Sequence, residues 1–143
     1  MDHVAIMNPK WGLIAKILSG EKQIESRWYM SRKAPWDRIH KKDTLYFKNA
    51  GQKVTAKATV TKVLQYPFMQ PLKVKRIIKD YGGKGKIALT NKRISYDLYK
   101  HKKNCILIFL KDPVKIKPFS IDKRGYGIGS AWLVVGDIKE IKR

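Results

Sequence analysis

A predicted helix passes into a predicted strand within the eight residues Gly20-Glu21-Lys22-Gln23-Ile24-Glu25-Ser26-Arg27. Gly20 is a typical residue to end a helix, because it adopts the left-handed backbone conformation without strain. In the strand that follows, Glu25 and Arg27 share one face and lie about 7 Å apart. Lys22 leaves the turn close to both. The charged side chains are therefore predicted to converge, either as a structural ion pair or as the floor of a cleft.

The segment before this turn has clear boundaries. Residues 3–7 (His3-Val4-Ala5-Ile6-Met7) predict a short strand. Asn8 is a suitable N-cap and Pro9 suits the first position of a helix. We predict a helix from Pro9 to Gly20, in which Trp11, Ile14, Ala15 and Leu18 recur at helical spacing.

The segments after the turn predict three strands. Residues 22–29 form the first, and residues 44–48 and 53–63 form a pair joined by a turn at 49–52. The last of these alternates between apolar and polar residues, as a half-buried strand does. Its predicted inward positions are Val54, Ala56, Ala58 and Val60.

The pattern then changes to helical spacing. Residues 72–81 predict a helix that ends at Gly82, with an inward face formed by Val74, Ile77, Ile78 and Tyr81. A further helix is predicted over residues 90–101, with Ile94 and Leu98 facing inward. The continuous apolar runs at 104–110 and 131–135 are typical of central strands. About six strands and three helices indicate an α+β fold built on a curved sheet or small barrel.

The chain carries a large excess of positive charge. It has 32 Lys and Arg against 11 Asp and Glu, which gives a net charge of +21. Such a charge attracts polyanions, and their binding releases counterions. A lysine-rich thermophile composition is the alternative, but it would add Glu with Lys, and Glu occurs only at positions 21, 25 and 140. The composition therefore favours a nucleic-acid partner.

The excess is strongest over residues 73–103, which carry a net charge of +9. We predict that two helices and a glycine-rich loop present a face that contacts phosphates without reading bases. A solvated helix face is the alternative. The candidate phosphate contacts are Lys75, Arg76, Lys79, Lys84 and Lys86.

Aromatic residues are interleaved with basic ones near the turn. A site for unstacked bases needs aromatic rings and phosphate donors. The predicted rings are Trp28, Tyr29 and Trp36, and the predicted donors beside them are Arg27, Arg32 and Lys33. The alternative is that these rings fill the core, and we expect this for Trp11.

The turn also carries a family resemblance. Gly20, Lys22, Glu25 and Arg27 match a Gly-x-Lys-x-x-Glu-x-Arg element that follows the first helix in the ASCH (activating signal cointegrator homology) domain. Residues 3–7 and the helix start Pro9-Lys10-Trp11 also resemble that family, which belongs to the PUA-like superfamily.

The resemblance implies a PUA-like β-barrel with flanking helices and a cleft lined by the motif, spanning residues 1–143 as a single domain. Members are thought to bind RNA, and others are described as ribonucleases. One bacterial group hydrolyses acylated cytidine with a Lys, a Thr and a Glu. Lys22 matches that Lys, but Glu25 occupies the position of the Thr, which argues against this hydrolase activity.

The sequence argues against several other kinds of site. The three histidines are scattered and no cysteine pair exists, so neither a metal nor an organic cofactor is expected. The only cysteine, Cys105, lies in an apolar run and is predicted to be a buried, inert thiol. No segment resembles a signal peptide or a membrane span. These features predict a cytoplasmic protein without a membrane partner.

Two functions remain open. In the first, the chain is an RNA-binding module, with DNA as the alternative ligand, and its cleft holds one base. In the second, it is a small enzyme that acts on RNA or a modified nucleoside, with Lys22 and Glu25 as the catalytic pair. The charge favours the first, because an enzyme for a free nucleoside does not need it.

Overall fold

A computed structural model describes residues 1–143 of the chain. Its strands, in chain order, are β1 (Asp2–Met7), β2 (Ile24–Tyr29), β3 (Thr44–Asn49), β4 (Val54–Tyr66), β5 (Asn104–Phe119) and β6 (Trp132–Gly136). Its helices are α1 (Leu13–Ser19), α2 (Pro71–Tyr81) and α3 (Lys92–Tyr99), with short 3-10 turns at Pro9–Trp11 and Ile138–Glu140. The predicted number of strands and helices is confirmed.

All six strands belong to one sheet with the order β2-β5-β4-β3-β1-β6. β1 pairs in parallel with β3, and the other neighbours are antiparallel. The sheet curls into a half-barrel whose free edges are β2 and β6. The motif strand β2 is therefore an edge strand with one side unpaired.

The largest core cluster lies on the face of the sheet that α1 covers. The alternation predicted for β4 is confirmed, because Val54, Ala56, Ala58 and Val60 are all buried. In this cluster, Ala56, Ala58 and Val60 pack with Leu45 and Phe47 of β3 and with Ile106 and Ile108 of β5, whereas Val54 packs in a separate cluster with Phe119 and Leu133. Alternate residues of each strand point the same way, so this face is continuous across strands.

The long central strand β5 extends nine residues beyond the predicted run 104–110. It remains paired with β4 along this length, with bulges at the points where the pairing register shifts. Asp112, which has a φ of 52°, lies beside one of these shifts. Cys105 is buried in this strand, and burial raises the pKa of its thiol above the ordinary value. The prediction of a buried thiol is confirmed.

Two predictions about the first helix are wrong. Gly12 has a φ of 61° and separates the 3-10 turn Pro9–Trp11 from α1. The helical phase is lost at this residue, so Trp11 does not share the buried face of Ile14 and Ile17. Trp11 is 58% exposed instead of filling the core.

The inward face predicted for α2 is confirmed for Val74, Ile77 and Ile78, which are buried against β2 and β5. The prediction for α3 is wrong: Ile94 and Leu98 are 58% and 61% exposed, whereas Ser95 is buried. The apolar face of α3 is turned away from the core because Tyr96 and Tyr99 pack there instead.

The prediction that residues 131–135 form a central strand is also wrong, because β6 lies at an edge. Both of its faces are nevertheless covered. Trp132 packs in the main core, and Leu133 and Val135 pack against Ile138 and Ile141 of the C-terminal turn. A strand covered on both faces has the apolar composition of a central strand.

No helix in the structure is long and apolar enough to cross a lipid bilayer.

Candidate functional site

The backbone of the motif turn is held by a second loop. Gly20 has a φ of 83° and donates its N–H to the Ile17 carbonyl, which ends α1. The N–H groups of Gln23 and Ile24 both donate to the carbonyl of Lys86, and Gly85 donates to the carbonyl of Glu21. The loop that follows α2 therefore fixes the turn from which Lys22 emerges.

Lys22 is buried, and its ammonium group is close to three oxygen atoms of the protein. Its Nζ donates to the carbonyls of Ile24 at 2.8 Å and Ile87 at 3.0 Å, and it lies 3.7 Å from Oε1 of Glu25. Burial lowers the pKa of Lys22 below its ordinary value, against the opposing effect of the Glu25 carboxylate. The two carbonyls accept two of the three N–H bonds of the ammonium group, and the contact with Glu25 is an ion pair that is too long for a hydrogen bond.

Arg27 spans the gap between the two free edges of the sheet. It starts on β2, and its Nη1 donates to the carbonyl of Ala131, immediately before β6. Its guanidinium lies over the ring of Trp132, 5.0 Å from the centroid. Its Nη2 lies 3.9 Å from Oε2 of Glu25 and 3.4 Å from Sδ of Met7.

One oxygen of Glu25 lacks a hydrogen-bond donor. The residue is 3% exposed. Its Oε1 accepts from the backbone N–H of Ser26 at 2.9 Å, whereas Oε2 has no hydrogen-bond partner. The contact with Arg27 at 3.9 Å is an ion pair but is too long for a hydrogen bond. A buried acceptor without a donor is costly, so the unused hydrogen-bonding capacity of this oxygen needs an explanation.

Lys22, Glu25 and Arg27 of the motif line an open cleft of about 670 Å³. Trp28 forms one wall, and Tyr99 of α3 stacks on it with ring centroids 4.6 Å apart and planes 3° from parallel. The exposed side chains of Trp11, Ile94 and Leu98 also line the cleft. The cleft therefore combines a charged floor with apolar and aromatic walls, in the size range of small-molecule sites.

The structure brings the first five predicted site residues together and separates the others. Lys22, Glu25, Arg27, Trp28 and Tyr29 all line the cleft. The predicted residues outside it are Arg32, Lys33 and Trp36 in the loop after β2, Lys75, Arg76 and Lys79 on α2, and Lys84 and Lys86 in the loop after α2.

The basic residues of α2 form a face of their own. Lys75, Arg76 and Lys79 are exposed beside a shallow depression on this helix. Lys86 is exposed as well, and its Nζ donates to the carbonyl of Asp80 at 2.7 Å. This hydrogen bond attaches the loop that carries Lys84 and Lys86 to the end of α2, so the loop lysines lie next to the basic residues of the helix.

Sequence reasoning missed several residues of the cleft. Tyr99 lines the cleft and stacks on Trp28 from a position about 70 residues further along the chain, and Trp132, outside the cleft lining, contacts Arg27 from about 105 residues further along. No local pattern indicates such pairs. Ile94 and Leu98 carry a weak signal, because exposed apolar residues on a short helix suggest a binding surface.

The side chains present do not form a metal site. No group of three or more His, Cys, Asp or Glu residues lies close enough to hold a metal ion.

The half-barrel with its flanking helices is an α+β PUA-like fold. The ASCH protein from Zymomonas mobilis has a similar structure, with a TM-score of 0.68 and 16% identity over 97% of this chain and 91% of that chain. A tyrosine-to-phenylalanine mutant of that protein gives a TM-score of 0.69 at 16% identity over 97% and 93%. This chain has the fold of the ASCH domain, as the motif predicts.

The N-terminal domain of McrB from Staphylothermus marinus is also similar, with a TM-score of 0.55 and 11% identity over 94% of this chain and 87% of that domain. No family model matches the sequence, and no curated protein does.

Proposed function

We propose that this protein binds single-stranded RNA and takes one base of the strand into the cleft at Lys22, Glu25 and Arg27. The observation that carries the proposal is the buried Oε2 of Glu25, which has no hydrogen-bond donor and belongs to a residue that lines the cleft. The exocyclic amino group of cytosine or adenine is a donor that an acidic side chain accepts. Uracil has no exocyclic amino group, so the cleft should discriminate against it.

The walls of the cleft suit a base. Every base has an aromatic face, and stacking on a protein ring contributes about 1–3 kcal/mol. The Trp28–Tyr99 pair supplies a rigid aromatic wall, and Trp11 supplies an exposed ring at the cleft. These groups would hold the plane of a base while Glu25 contacts its edge.

The charge of the chain suits the backbone of the strand. The net charge is +21, and the basic face of α2 lies outside the cleft. Contacts from such a face position a strand without selecting its sequence. The ASCH fold supports the same conclusion through the RNA binding that the family resemblance implies.

An enzyme that acts on RNA or a modified nucleoside is the second candidate. The observation in its favour is the lowered pKa of Lys22 in a cleft beside Glu25, a combination typical of catalytic sites. Against it, the Nζ of Lys22 donates to two carbonyls and contacts Glu25. Donation to carbonyls favours the protonated amine, which has no lone pair with which to act as a base or nucleophile. Lys22 would then organise the pocket.

The test is the affinity for labelled ten-residue RNAs of C, A and U, measured by fluorescence anisotropy. We expect the C and A strands to bind more tightly than U, and Glu25→Gln to weaken their binding about 10- to 100-fold, as for a lost hydrogen bond to a charged group. Glu21→Gln is the matched control, because it removes the same charge from the same turn outside the cleft.

Base recognition by the cleft would be contradicted if the C and U strands bind wild type with equal affinity and Glu25→Gln does not change either affinity. Assays of the same proteins for cleavage of RNA and for hydrolysis of acylated cytidine distinguish the binding module from the enzyme. Turnover that disappears in Glu25→Gln, with binding retained, would identify an enzyme.

A further inference from the structure

We propose that a second base-stacking site lies outside the cleft, on the exposed ring of Phe68, and that it holds another base of the same RNA strand. The class of ligand rests on the function proposed above. The site itself is a separate group of residues, because Phe68, Arg32 and Trp36 do not line the cleft.

Phe68 has no role in the core. Its side chain is 79% exposed, whereas its neighbour Met69 is buried. Its φ of 50° lies in the left-handed region, which is unfavourable for a residue with a bulky side chain. The backbone turn at Phe68 places Met69 in the core, whereas the Phe68 ring itself packs against no buried residue of the core. An exposed ring in a strained conformation is typical of functional sites.

Arg32 fixes the position of the ring. Its guanidinium lies 5.0 Å from the centroid of Phe68 and 4.8 Å from that of Trp36. Its Nε donates to Oδ1 of Asn104, a buried residue whose Nδ2 in turn donates to the carbonyl of Met30. The guanidinium is therefore held in place before a ligand binds, and most of the Phe68 ring remains free to stack with a base.

The surroundings suit a polyanion. Lys33 follows Arg32 in the same loop, and Lys73 begins the basic face of α2 with its Nζ 5.0 Å from the ring centroid of Tyr66. Neither Arg32 nor these lysines has a carboxylate within ion-pairing distance, since the ion pairs of the chain involve other residues. An acidic peptide would match the charge but would leave the ring unused, so a nucleic-acid strand fits better.

The second site lies close to the cleft along the chain. Tyr29 lines the cleft, and the Nζ of Lys33 lies 5.9 Å from its ring centroid. Arg32 is three residues from Tyr29, so their Cα atoms are at most about 11 Å apart. A strand of a few nucleotides can therefore contact both sites.

The experiment compares wild type with Phe68→Ala and Phe68→Leu for binding of a labelled ten-residue C strand and of cytidine monophosphate. We expect both variants to lose about 5- to 150-fold in affinity for the strand, as for one stacked base. Binding of the mononucleotide and the melting temperature should stay unchanged. Leu72→Ala is the matched control, because Leu72 is also 79% exposed but cannot stack.

A strand of the same length with abasic residues measures the contribution of the phosphates alone to the affinity. The Phe68 variants should bind this strand with the same affinity as wild type. The proposal is overturned if they bind the C strand like wild type, or if they lose affinity equally for the abasic strand or for polyglutamate. If Glu25→Gln lowers the affinity for the C strand and the Phe68 variants do not, the second site is overturned and base recognition by the cleft is retained. If the Phe68 variants lower this affinity and Glu25→Gln does not, base recognition by the cleft is overturned and the second site is retained. Failure of wild type to bind the strand overturns both.

Discussion

The guanidinium of Arg27 lies over the indole ring of Trp132, 5.0 Å from its centroid, and so joins strand β2 to strand β6. These two strands are the free edges of the half-barrel, and no backbone ladder connects them. A side chain therefore holds together the two edges that hydrogen bonds would join in a closed barrel. The same side chain lies beside the free oxygen of Glu25, so the stability of the fold and the shape of the cleft depend on one residue.

We predict that Arg27→Ala lowers the free energy of unfolding by about 1–3 kcal/mol. The substitution removes a partly desolvated cation–π contact, a hydrogen bond to the Ala131 carbonyl and the packing of the arginine stem. Urea denaturation followed by circular dichroism measures the change. Arg27→Lys should not restore the loss, because an ammonium group lacks the planar fork.

Arg38→Ala is the control for this prediction. Arg38 is an exposed arginine without an ion pair, so its substitution should change the free energy of unfolding by less than about 0.5 kcal/mol. Equal effects at Arg27 and Arg38 would show that the edges are held by the core alone.

A buried histidine links the sheet to the loop before β3. The Nε1–H of Trp132 donates to Nδ1 of His3, so the proton of the neutral ring lies on Nε2, which donates to Asp43 at 2.9 Å. Burial lowers the pKa of His3 below 6.5, although the Asp43 carboxylate opposes this. Burial would raise the pKa of Asp43, but the hydrogen bonds from His3 and the His40 N–H outweigh it and lower that pKa.

We predict that the free energy of unfolding falls as the pH drops below about 6.5. The unfolded chain takes up a proton on His3 at this pH and the folded chain does not, so acid favours unfolding. One such group contributes at most about 2 kcal/mol between pH 6.5 and 5. Asp43 adds a further loss only when the pH falls below about 4, where its carboxylate is protonated in the unfolded chain.

His3→Gln tests the assignment, because glutamine does not titrate. Urea denaturation at pH 7.5 and at pH 5.0 should show a smaller loss of stability for the variant than for wild type. An identical loss in both proteins would assign the acid sensitivity to other groups.

We predict that binding to single-stranded RNA weakens with salt, with a slope of about −0.7 in log–log form for each neutralised phosphate. The combined variant Lys75→Glu, Arg76→Glu and Lys79→Glu should reduce the affinity for all sequences alike and make the slope shallower. These side chains are exposed on α2, so the fold should tolerate the changes.

The control reverses three exposed lysines elsewhere, with Lys53→Glu, Lys117→Glu and Lys139→Glu. It changes the net charge by the same amount and should weaken binding less. If both triple variants behave alike, the net charge of the chain attracts RNA and α2 has no special role.

The convergence of Lys22, Glu25 and Arg27 could be predicted because it depends on local geometry. A glycine ends the helix, and the strand that follows places alternate residues on one face. The partners of this cluster could not be predicted in the same way. Tyr99 and Trp132 reach it only because α3 and β6 are brought to the edge strand by the curl of the sheet.

Four features follow from the order and composition of the residues alone: the alternation of β4, the apolar face of α2, the glycine that ends α1 and the net charge. Which of the apolar faces are covered depends instead on long-range packing. Ile94 and Leu98 line a cleft rather than the core, and β6 lies at an edge although it is as apolar as a central strand. The physical reason is that periodicity places residues on a common face, whereas the burial of that face depends on segments far away in the chain.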